Sequence, residues 1–309
     1  MNKVIRIGTR DSELALWQAK KVEQELQKLG YKTQLVPVKS TGDLVLDKPL
    51  YEMGITGIFT KTLDVAMIKK EIDIAVHSMK DVPTMLPDGI VQGAVLKRAN
   101  SIDILLHKGN TDFLDENKEA VIATGSLRRK AQWLNRYPKH TIVDLRGNVN
   151  TRMQKLADND WQGAVFASAG LDRINKKPSE YINLDWMIPA PAQGAMVIAV
   201  NADDNFSLDA VSQLNDYETE MATHIERQFL RTLEGGCTAP IGAHAMYNEH
   251  DDTIHFKGVL FSLDGKEKYE VNKVVPIEEW KKLGFFAAKE ILENGGSELM
   301  KKLREQLNK

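Results

Sequence analysis

The sequence VIRIGTRDSELALWQAKKVEQELQKLG, residues 4–30, contains the signals that decide the fold. Its first residues form a short apolar strand that ends at Gly8. Asp11 or Ser12 can then cap a helix whose apolar residues recur at helical spacing, and Gly30 ends that helix. A strand, a polar turn and a helix in this order are typical of an α/β unit.

The alternation of strand and helix continues along the chain. The strands TQLVPVK, from Thr33, and IDIAV, from Ile72, bracket a Gly-containing loop and a helical stretch at 63–69, which predicts a parallel α/β domain. Near Arg98 the pattern restarts and predicts a second α/β domain of similar build. Its strands are VIATG at Val121, TIVDL at Thr141 and GAVFA at Gly163.

The pattern of predicted helices and strands changes from about residue 217. A long helix to Leu233 precedes two strands, IHFKGVLFS and KYEVNKVV, which the dipeptide Asp264-Gly265 joins as a hairpin. A helical stretch at 277–293, a break at two adjacent glycines and a last amphipathic helix follow. We therefore expect a third domain of the α+β class.

The length and composition limit the classes of protein to which the chain can belong. A chain of 309 residues is too long for one ordinary core and favours two or three domains. The chain is 42% hydrophobic but has no apolar run near the roughly 20 residues that span a bilayer, so we expect a globular protein with no membrane partner. Its 41 basic and 43 acidic residues are mixed, which excludes a general attraction to nucleic acid. Because no long apolar stretch opens the sequence, we expect a cytoplasmic protein.

Neither cysteine nor histidine is arranged for a metal. A single cysteine, Cys237, excludes an internal disulfide and a cysteine-rich metal cage, and it fits a reducing compartment. The seven histidines never form an H-E-x-x-H pattern. We expect no metal, and because no long apolar surface stripe stands out, we expect a monomer.

Arginines follow several predicted strands, in turns made of small residues. The carboxyl ends of strands in open α/β sheets face the ligand crevice, where helix N-termini and guanidinium groups bind carboxylates or phosphates. One such arginine is most often a solvated surface charge. The repeated pattern instead predicts a ligand with several negative charges, held between the two α/β domains. These arginines are Arg10, Arg128, Arg129, Arg146, Arg152 and Arg173.

One carboxylate is expected among these cations. The segment DIAVHSMKDVP follows a strand directly, so Lys80 and Asp81 should also face the crevice, whereas a lone histidine such as His77 is usually structural. A carboxylate in a pure anion site would repel the ligand, which favours a role for Asp81 towards positive charge or N–H donors. The alternative is an internal ion pair with Lys80 or a nearby arginine, and the residues alone do not separate the two.

Cys237 lies in the segment LEGGCTAP, where two glycines indicate an unusual backbone and an exposed loop. A free cysteine is most often a buried small hydrophobe. No evident base accompanies Cys237, so a papain-like nucleophile is a weak interpretation, and a thioether tether is the alternative use of the sulfur.

Four motifs resemble those of the porphobilinogen deaminase (hydroxymethylbilane synthase) family, and their order and spacing match it along nearly the whole chain. The resemblance implies two α/β domains like those of periplasmic binding proteins and a smaller α+β domain that carries the cysteine loop. It also implies that the strand MVIAV, at Met196, returns to the first sheet. The expected domains are 1–96 plus 196–216, 97–195 and 217–309. The motifs are HSMKD (77–81), GSLRR (125–129), LRGNVNTR (145–152) and EGGC (234–237).

The resemblance implies a dipyrromethane cofactor, bonded to Cys237 through a thioether, which primes the addition of four porphobilinogen molecules. Loss of ammonia from porphobilinogen leaves an electron-poor, azafulvene-type cation, and Asp81 matches the family's catalytic acid. Hydrolysis would release linear hydroxymethylbilane, and no metal or nucleotide is implied. The residues at the family's cofactor-binding and substrate-binding positions are Arg10, Ser12, Gln18, Lys80, Thr124, Ser126, Arg128, Arg129, Arg146, Arg152 and Arg173.

The chain departs from the family pattern at two places. Where the family commonly has Gly-Gly-Lys-Gly before a Phe, this chain has Ile55 and Thr56 between glycines, and Glu52 replaces a frequent lysine. The family's acidic stretch at the start of the second domain is replaced by RANSID, residues 98–103, which we expect to affect a hinge more than chemistry.

Two rival functions remain at this point. One is a non-catalytic solute-binding module, since a fold does not fix a function, but it leaves Cys237 without a role. The other is an inactive relative that keeps the cofactor and has lost turnover, which only the altered loop suggests.

Overall fold

The computed structural model describes residues 3–38, 60–233 and 239–307. Its strands form two five-stranded sheets and one three-stranded sheet. In chain order the strands are β1 (Val4–Thr9), β2 (Lys32–Pro37), β3 (Ile74–Ser78), β4 (Ile90–Leu96), β5 (Asp103–His107), β6 (Val121–Ala123), β7 (Thr141–Val143), β8 (Gly163–Ala167), β9 (Ile182–Asn183), β10 (Met196–Asn201), β11 (Ile241–Asn248), β12 (Thr253–Phe261) and β13 (Lys268–Pro276).

Helices follow many of these strands, and several begin at a polar cap. Of the two caps predicted for the first helix, the structure selects Ser12, whose hydroxyl accepts from the N–H of Ala15. Gly30, at φ 88°, follows the end of this helix as predicted. The helices are α1 (Glu13–Lys28), α2 (Lys61–Ile68), α3 (Leu127–Arg136), α4 (Val149–Asp158), α5 (Ser168–Arg173), α6 (Asn205–Ser212), α7 (Tyr217–Thr232), α8 (Trp280–Ile291) and α9 (Ser297–Leu307).

The two five-stranded sheets share one design. The first has the order β2-β1-β3-β10-β4 and the second has the order β7-β6-β8-β5-β9. In each sheet three strands pair in parallel, and the fourth strand in this order, β10 or β5, pairs antiparallel with its neighbours. Both antiparallel strands begin where the chain has crossed from one sheet to the other, through residues 97–102 and 184–195.

The sequence predicted a parallel α/β domain without giving the direction of β5 or β10, and the structure shows that these two strands are antiparallel to their neighbours. A crossing segment enters the next sheet at the edge where the parallel strands end, so the strand that follows must run in the opposite direction. Hydrophobic periodicity identifies a strand but not its direction, because the spacing of side chains is the same both ways. The strand MVIAV lies in the first sheet, as β10 between β3 and β4.

The third sheet contains a strand that was not predicted from the sequence. Strand β11 has the sequence IGAHAMYN, in which small residues with low strand preference replace the usual branched ones. Eight residue pairs with β12 hold it in the sheet. The predicted hairpin is confirmed, because β12 and β13 pair antiparallel and Gly265 has a φ of 76° in the turn.

Each sheet has its own hydrophobic core. Ile5 and Ile7 belong to the core of the first sheet, Trp133 to that of the second, and Phe229 and Phe256 to that of the third. The third core combines α7, α8 and α9 with three antiparallel strands. The α/β class with a smaller α+β unit is therefore confirmed.

Candidate active site

A cleft of about 560 Å³ lies between the two five-stranded sheets. Its walls come from the turns that follow β1, β3, β7 and β8 and from the first turns of α3 and α4, as expected for the carboxyl edge of α/β sheets. The structure brings eight of the predicted residues to this cleft. They are Arg10, Ser12, Lys80, Asp81, Arg129, Arg146, Arg152 and Arg173.

Four predicted residues do not reach the cleft wall. Gln18 is buried and donates to the hydroxyl of Ser78, at 2.8 Å. Thr124 is buried, and its hydroxyl accepts from the N–H of Ser126 at 3.3 Å. Ser126 in turn caps α3, and Arg128 is buried behind the wall. These side chains support the cleft from outside it.

The predicted attachment residue, Cys237, lies outside the described residues, in the segment 234–238. The described chain ends on one side with α7 and Leu233, and resumes at Ala239 before β11. The loop with Glu52, Ile55 and Thr56 also lies outside the described residues.

The cleft arginines are held by main-chain carbonyl groups. Arg173 donates to the carbonyl of Gly194 at 2.7 Å, and Arg152 donates through Nε to that of Gly147 at 2.7 Å. Burial lowers the pKa of Arg173 to about 10, and burial with the neighbouring Arg129 lowers the pKa of Arg152 to about 10. Both therefore stay cationic at neutral pH, with their remaining N–H donors available to a ligand.

Arg146 has a side-chain donor that no group of the described residues satisfies. Its side chain lines the cleft and is 6% exposed. The Nη1 atom is buried and has no hydrogen-bond partner in the described part of the chain. A buried guanidinium nitrogen without a partner is costly. It therefore fits a site whose ligand supplies the acceptor.

Asp103 is a residue of this region that the sequence interpretation missed. It is fully buried, accepts from Nε and Nη2 of Arg129 at 3.0 and 2.7 Å, and lies 2.8 Å from Nη1 of Arg128. The Arg128 contact is an ion pair, and the same nitrogen also donates to the carbonyl of Ile188 at 2.8 Å. Burial by itself would raise the pKa of Asp103, but the two arginines outweigh it and hold the pKa well below its ordinary value.

Asp103 shows that the 98–103 segment contributes more than a hinge. It is the first residue of β5 and fixes the direction in which the Arg129 fork points. A signal existed in the sequence, because an acidic residue at the start of an apolar strand, DILLH, needs a buried partner.

Lys80 lies in the cleft at the end of β3 and donates to the side-chain oxygen of Gln193 at 3.2 Å. Desolvation and the neighbouring Arg129 lower its pKa to about 8, against the opposing influence of Asp81 and Asp103. Lys80 is therefore mostly protonated at pH 7 and loses its charge in mildly alkaline solution. His77, one strand position before Ser78, is buried, and its burial with the nearby Arg10 lowers its pKa to about 4.

Asp81 is one of the acidic residues that line the cleft, and it lies in the single helical turn Met79–Asp81. Within the residues that the structure describes, no cation lies within 4.0 Å of its carboxylate and no side chain donates a hydrogen bond to it. Its charge still acts on Lys80 and Arg152 through space. The described part of the chain thus contains no internal ion pair that would occupy Asp81.

Within the described residues, the charge of the cleft is positive. Six cationic side chains of these residues line the cleft against three carboxylates, those of Asp11, Glu13 and Asp81. Glu13 accepts a hydrogen bond from Asn150 across the cleft, at 2.8 Å, so its charge is partly engaged. The cleft is therefore suited to a small molecule with several carboxylates and one region of positive charge or N–H donors.

The described residues contain neither a cluster that could hold a metal ion nor a helix that could span a membrane. Within residues 3–38, 60–233 and 239–307, no cluster of three or more His, Cys, Asp or Glu side chains is arranged to hold a metal ion. Among the helices of these same ranges, none has the length and apolar character that a membrane span requires.

Comparison with known proteins identifies the family. The family model "Porphobilinogen deaminase, dipyromethane cofactor binding domain" matches residues 5–209, and "Porphobilinogen deaminase, C-terminal domain" matches residues 220–293. A porphobilinogen deaminase of Carboxydothermus hydrogenoformans is 39% identical and is covered completely, as is this chain. That of Chloroherpeton thalassium is 38% identical over 98% of this chain and 99% of its own.

Solved structures with a similar arrangement include transport proteins. A periplasmic substrate-binding protein of an ABC transporter from Coxiella burnetii is 16% identical, with a TM-score of 0.43 over 68% of this chain and 91% of its own. The two family models, which together span most of the chain, and the relatives aligned over its full length settle the question of descent. The chain belongs to the porphobilinogen deaminase family.

Proposed function

We propose that this chain is a hydroxymethylbilane synthase of tetrapyrrole biosynthesis, which joins four porphobilinogen molecules head to tail with loss of ammonia and releases the linear product by hydrolysis. The observation that carries the proposal is the position of Asp81, a carboxylate without an internal ion pair in the described chain, in a cleft that six cationic side chains of the described residues also line. A plain binder of anions has no use for such a carboxylate in the wall of its site.

The cations of the cleft bind the substrate. Each pyrrole carries an acetate and a propionate group, so a growing chain accumulates carboxylates. Arg152 and Arg173 are fixed by main-chain carbonyl groups and have further donors, and the buried Nη1 of Arg146 lacks a partner in the described chain. Charge-assisted contacts of this kind contribute on the order of 1.5 to 3 kcal/mol each.

The same features fit a covalently held dipyrromethane. Its carboxylates would satisfy the unpartnered donor of Arg146 and the fork of Arg129, which Asp103 orients. When bound, this group supplies the pyrrole carbon to which the first substrate is joined. We propose that Cys237 holds it through a thioether, which is supported by the match to a cofactor-binding domain and by the absence of any other cysteine from the sequence.

Asp81 acts on the reacting pyrrole. Its carboxylate accepts hydrogen bonds from pyrrole N–H groups and offsets the positive charge that develops on the substrate as ammonia leaves. A preorganised carboxylate is most effective in a site that excludes water and where no internal cation neutralises it. Lys80 and the arginines meanwhile hold the carboxylates of the substrate away from Asp81.

We further propose that the chain has the domain division 1–96 plus 196–216, 97–195 and 217–309, and that it works as a monomer in the cytoplasm. The pairing of β10 with β3 and β4 supports the first boundary. A single cysteine supports a reducing compartment.

Replacement of Asp81 by Asn tests the catalytic role. The amide keeps the shape but loses the charge, so we expect ammonia release from porphobilinogen to fall by roughly 100-fold or more, with a melting temperature near that of the wild type. Asp88→Asn, which changes an exposed carboxylate seven residues further along, is the matched control and should retain activity. Near-normal ammonia release by Asp81→Asn would refute the role of Asp81.

Intact mass tests the attachment site and the rival binding function. We expect the wild type to be heavier than its sequence by one dipyrromethane, because the cofactor is covalent, and Cys237→Ala to have the mass of its sequence while remaining folded. A wild type without added mass would favour a solute-binding protein. An adduct that persists in Cys237→Ala would show that another residue carries it.

A further inference from the structure

The position of Asp81 is set by its backbone, because within the described residues its side chain makes no hydrogen bond or ion pair. Hydrogen bonds fix the start of the turn that contains Asp81. Ser78 accepts from Gln18, the N–H of Met79 donates to the carbonyl of Ala195, and Lys80 donates to Gln193. These contacts fix the chain before Asp81. After Asp81, the N–H of Val82 donates to the carbonyl of Met79 at 3.2 Å within the turn itself, and further contacts come from another part of the molecule.

Arg227 supplies the contacts on the far side of the turn. Its Nη1 donates to the carbonyl oxygens of Met79, at 3.3 Å, and Val82, at 2.9 Å, and its Nη2 donates to that of Pro83 at 2.5 Å. One guanidinium group thus bridges three main-chain oxygens on both sides of Asp81. Only arginine has several donors in one rigid plane, so lysine cannot reproduce this set of contacts.

Arg227 belongs to the third unit of the fold, on α7, and this helix is itself fixed to the region between the sheets. The preceding residue, Glu226, is fully buried and accepts from the N–H groups of Ala192 and Ala245 at 2.6 and 2.8 Å. It also forms an ion pair with Arg98 at 2.7 Å. Adjacent residues of α7 therefore anchor the helix and hold the Asp81 turn.

We propose that Arg227 is a positioning residue for the reaction, which holds the turn around Asp81 at the place where the carboxylate meets the reacting pyrrole. The inference rests on the proposed function. Because α7 ends at Thr232, five residues before Cys237, one helix connects the position of the catalytic carboxylate to the segment that carries the proposed attachment residue. A displacement of about 1 Å at a reacting group can cost roughly 100-fold in rate.

The test compares Arg227→Met with Arg231→Met, which removes a charge from an exposed position one turn further along α7. We expect kcat for ammonia release to fall at least tenfold in Arg227→Met, with KM within about twofold and the cofactor mass retained, and Arg231→Met to resemble the wild type. Arg227→Lys keeps the positive charge but not the planar guanidinium group, so its kcat should lie between those of Arg227→Met and the wild type.

A double variant distinguishes positioning from general stability. If Arg227 acts through Asp81, then Arg227→Met should cost little more in the Asp81→Asn background, since the group that it positions is already lost. An equal loss in both backgrounds, or an unchanged kcat in Arg227→Met, would overturn the inference while the wild type still releases ammonia. A wild type that neither releases ammonia nor carries the added mass would instead refute the proposed function.

Discussion

At the scale of single residues, burial decides which cationic side chains of the cleft change their protonation state with pH. Arg152 and Arg173 keep their protons because even a lowered pKa of about 10 lies well above neutral pH. Lys80 differs, since desolvation and Arg129 bring its pKa to about 8. Of these three cations, Lys80 alone changes its charge in the range in which enzymes are commonly assayed.

We predict that kcat/KM for porphobilinogen decreases as the pH rises through about 8, because the protonated ammonium binds carboxylate and the neutral amine does not. The loss of one charge-assisted contact should amount to roughly tenfold or more. Rates of ammonia release measured between pH 6 and 10 would show this alkaline decrease of kcat/KM. In Lys80→Arg the decrease should move to higher pH, since the guanidinium group stays protonated. If kcat/KM decreased over the same pH range in both proteins, a group other than Lys80 would be responsible for the decrease.

At the scale of elements, three helices of the described chain that contribute side chains to the cleft begin at a polar cap. Ser12 caps α1, Ser126 caps α3 and Asn148 caps α4, each by accepting a main-chain N–H. The partial positive charge of a helix N-terminus adds to the arginines in attracting anions. The caps also fix where each helix starts, and so where the arginines of the first turns lie.

We predict that Asn148→Ala raises KM for porphobilinogen and lowers the free energy of unfolding by about 1 kcal/mol. Asn148 accepts from the N–H of Thr151 at 3.0 Å, and its loss loosens the turn in which Arg152 contacts Gly147. Asp216→Ala removes an equivalent cap from α7, where Thr219 donates at 2.9 Å. It should cost similar stability in urea unfolding and leave KM unchanged. An equal rise of KM in both variants would mean that the effect is not local to the cleft.

At the scale of the whole molecule, the two segments that cross between the sheets are packed against each other. The N–H of Ala99 donates to the carbonyl of Gly194 at 3.1 Å, and that carbonyl also accepts from Arg173. Gly194 has a φ of 86°, and a Cβ atom there would lie 2.5 Å from the carbonyl oxygen of Ala99. The relative position of the sheets, and therefore the width of the cleft, depends on this close approach.

We predict that Gly194→Ala destabilises the protein by on the order of 3 kcal/mol, since the methyl group adds backbone strain and pushes the two crossing segments apart. Gly170→Ala is the control. Gly170 also lines the cleft, but the nearest atom to its added Cβ, in Leu14, would lie at 3.8 Å. Urea unfolding and ammonia release should both show a large loss in Gly194→Ala, whereas urea unfolding should show little change in Gly170→Ala. Equal stability of the two variants would contradict the close packing of the crossing segments.

Much of the site could be predicted from the sequence, because turn residues that directly follow strands reach the cleft whatever the details of packing. Arg10, Lys80 and Asp81 are examples. Arg128 shows the limit of this reasoning. It is the neighbour of Arg129 in the same motif, yet it is buried against Asp103 and Ile188, since successive residues at a helix start point in different directions.

The sequence by itself determined the alternation of strands and helices, the end of α1 at Gly30 and the motifs that place the chain in its family, because these depend on local spacing and residue type. Only the tertiary structure decided the reversed direction of β5 and β10, the pairing of Asp103 with two arginines and the contact of Arg227 with the Asp81 turn. Each of these features joins residues that lie far apart in the chain. Their partners are chosen by burial and by the need to satisfy buried charges and carbonyl groups, which no local pattern records.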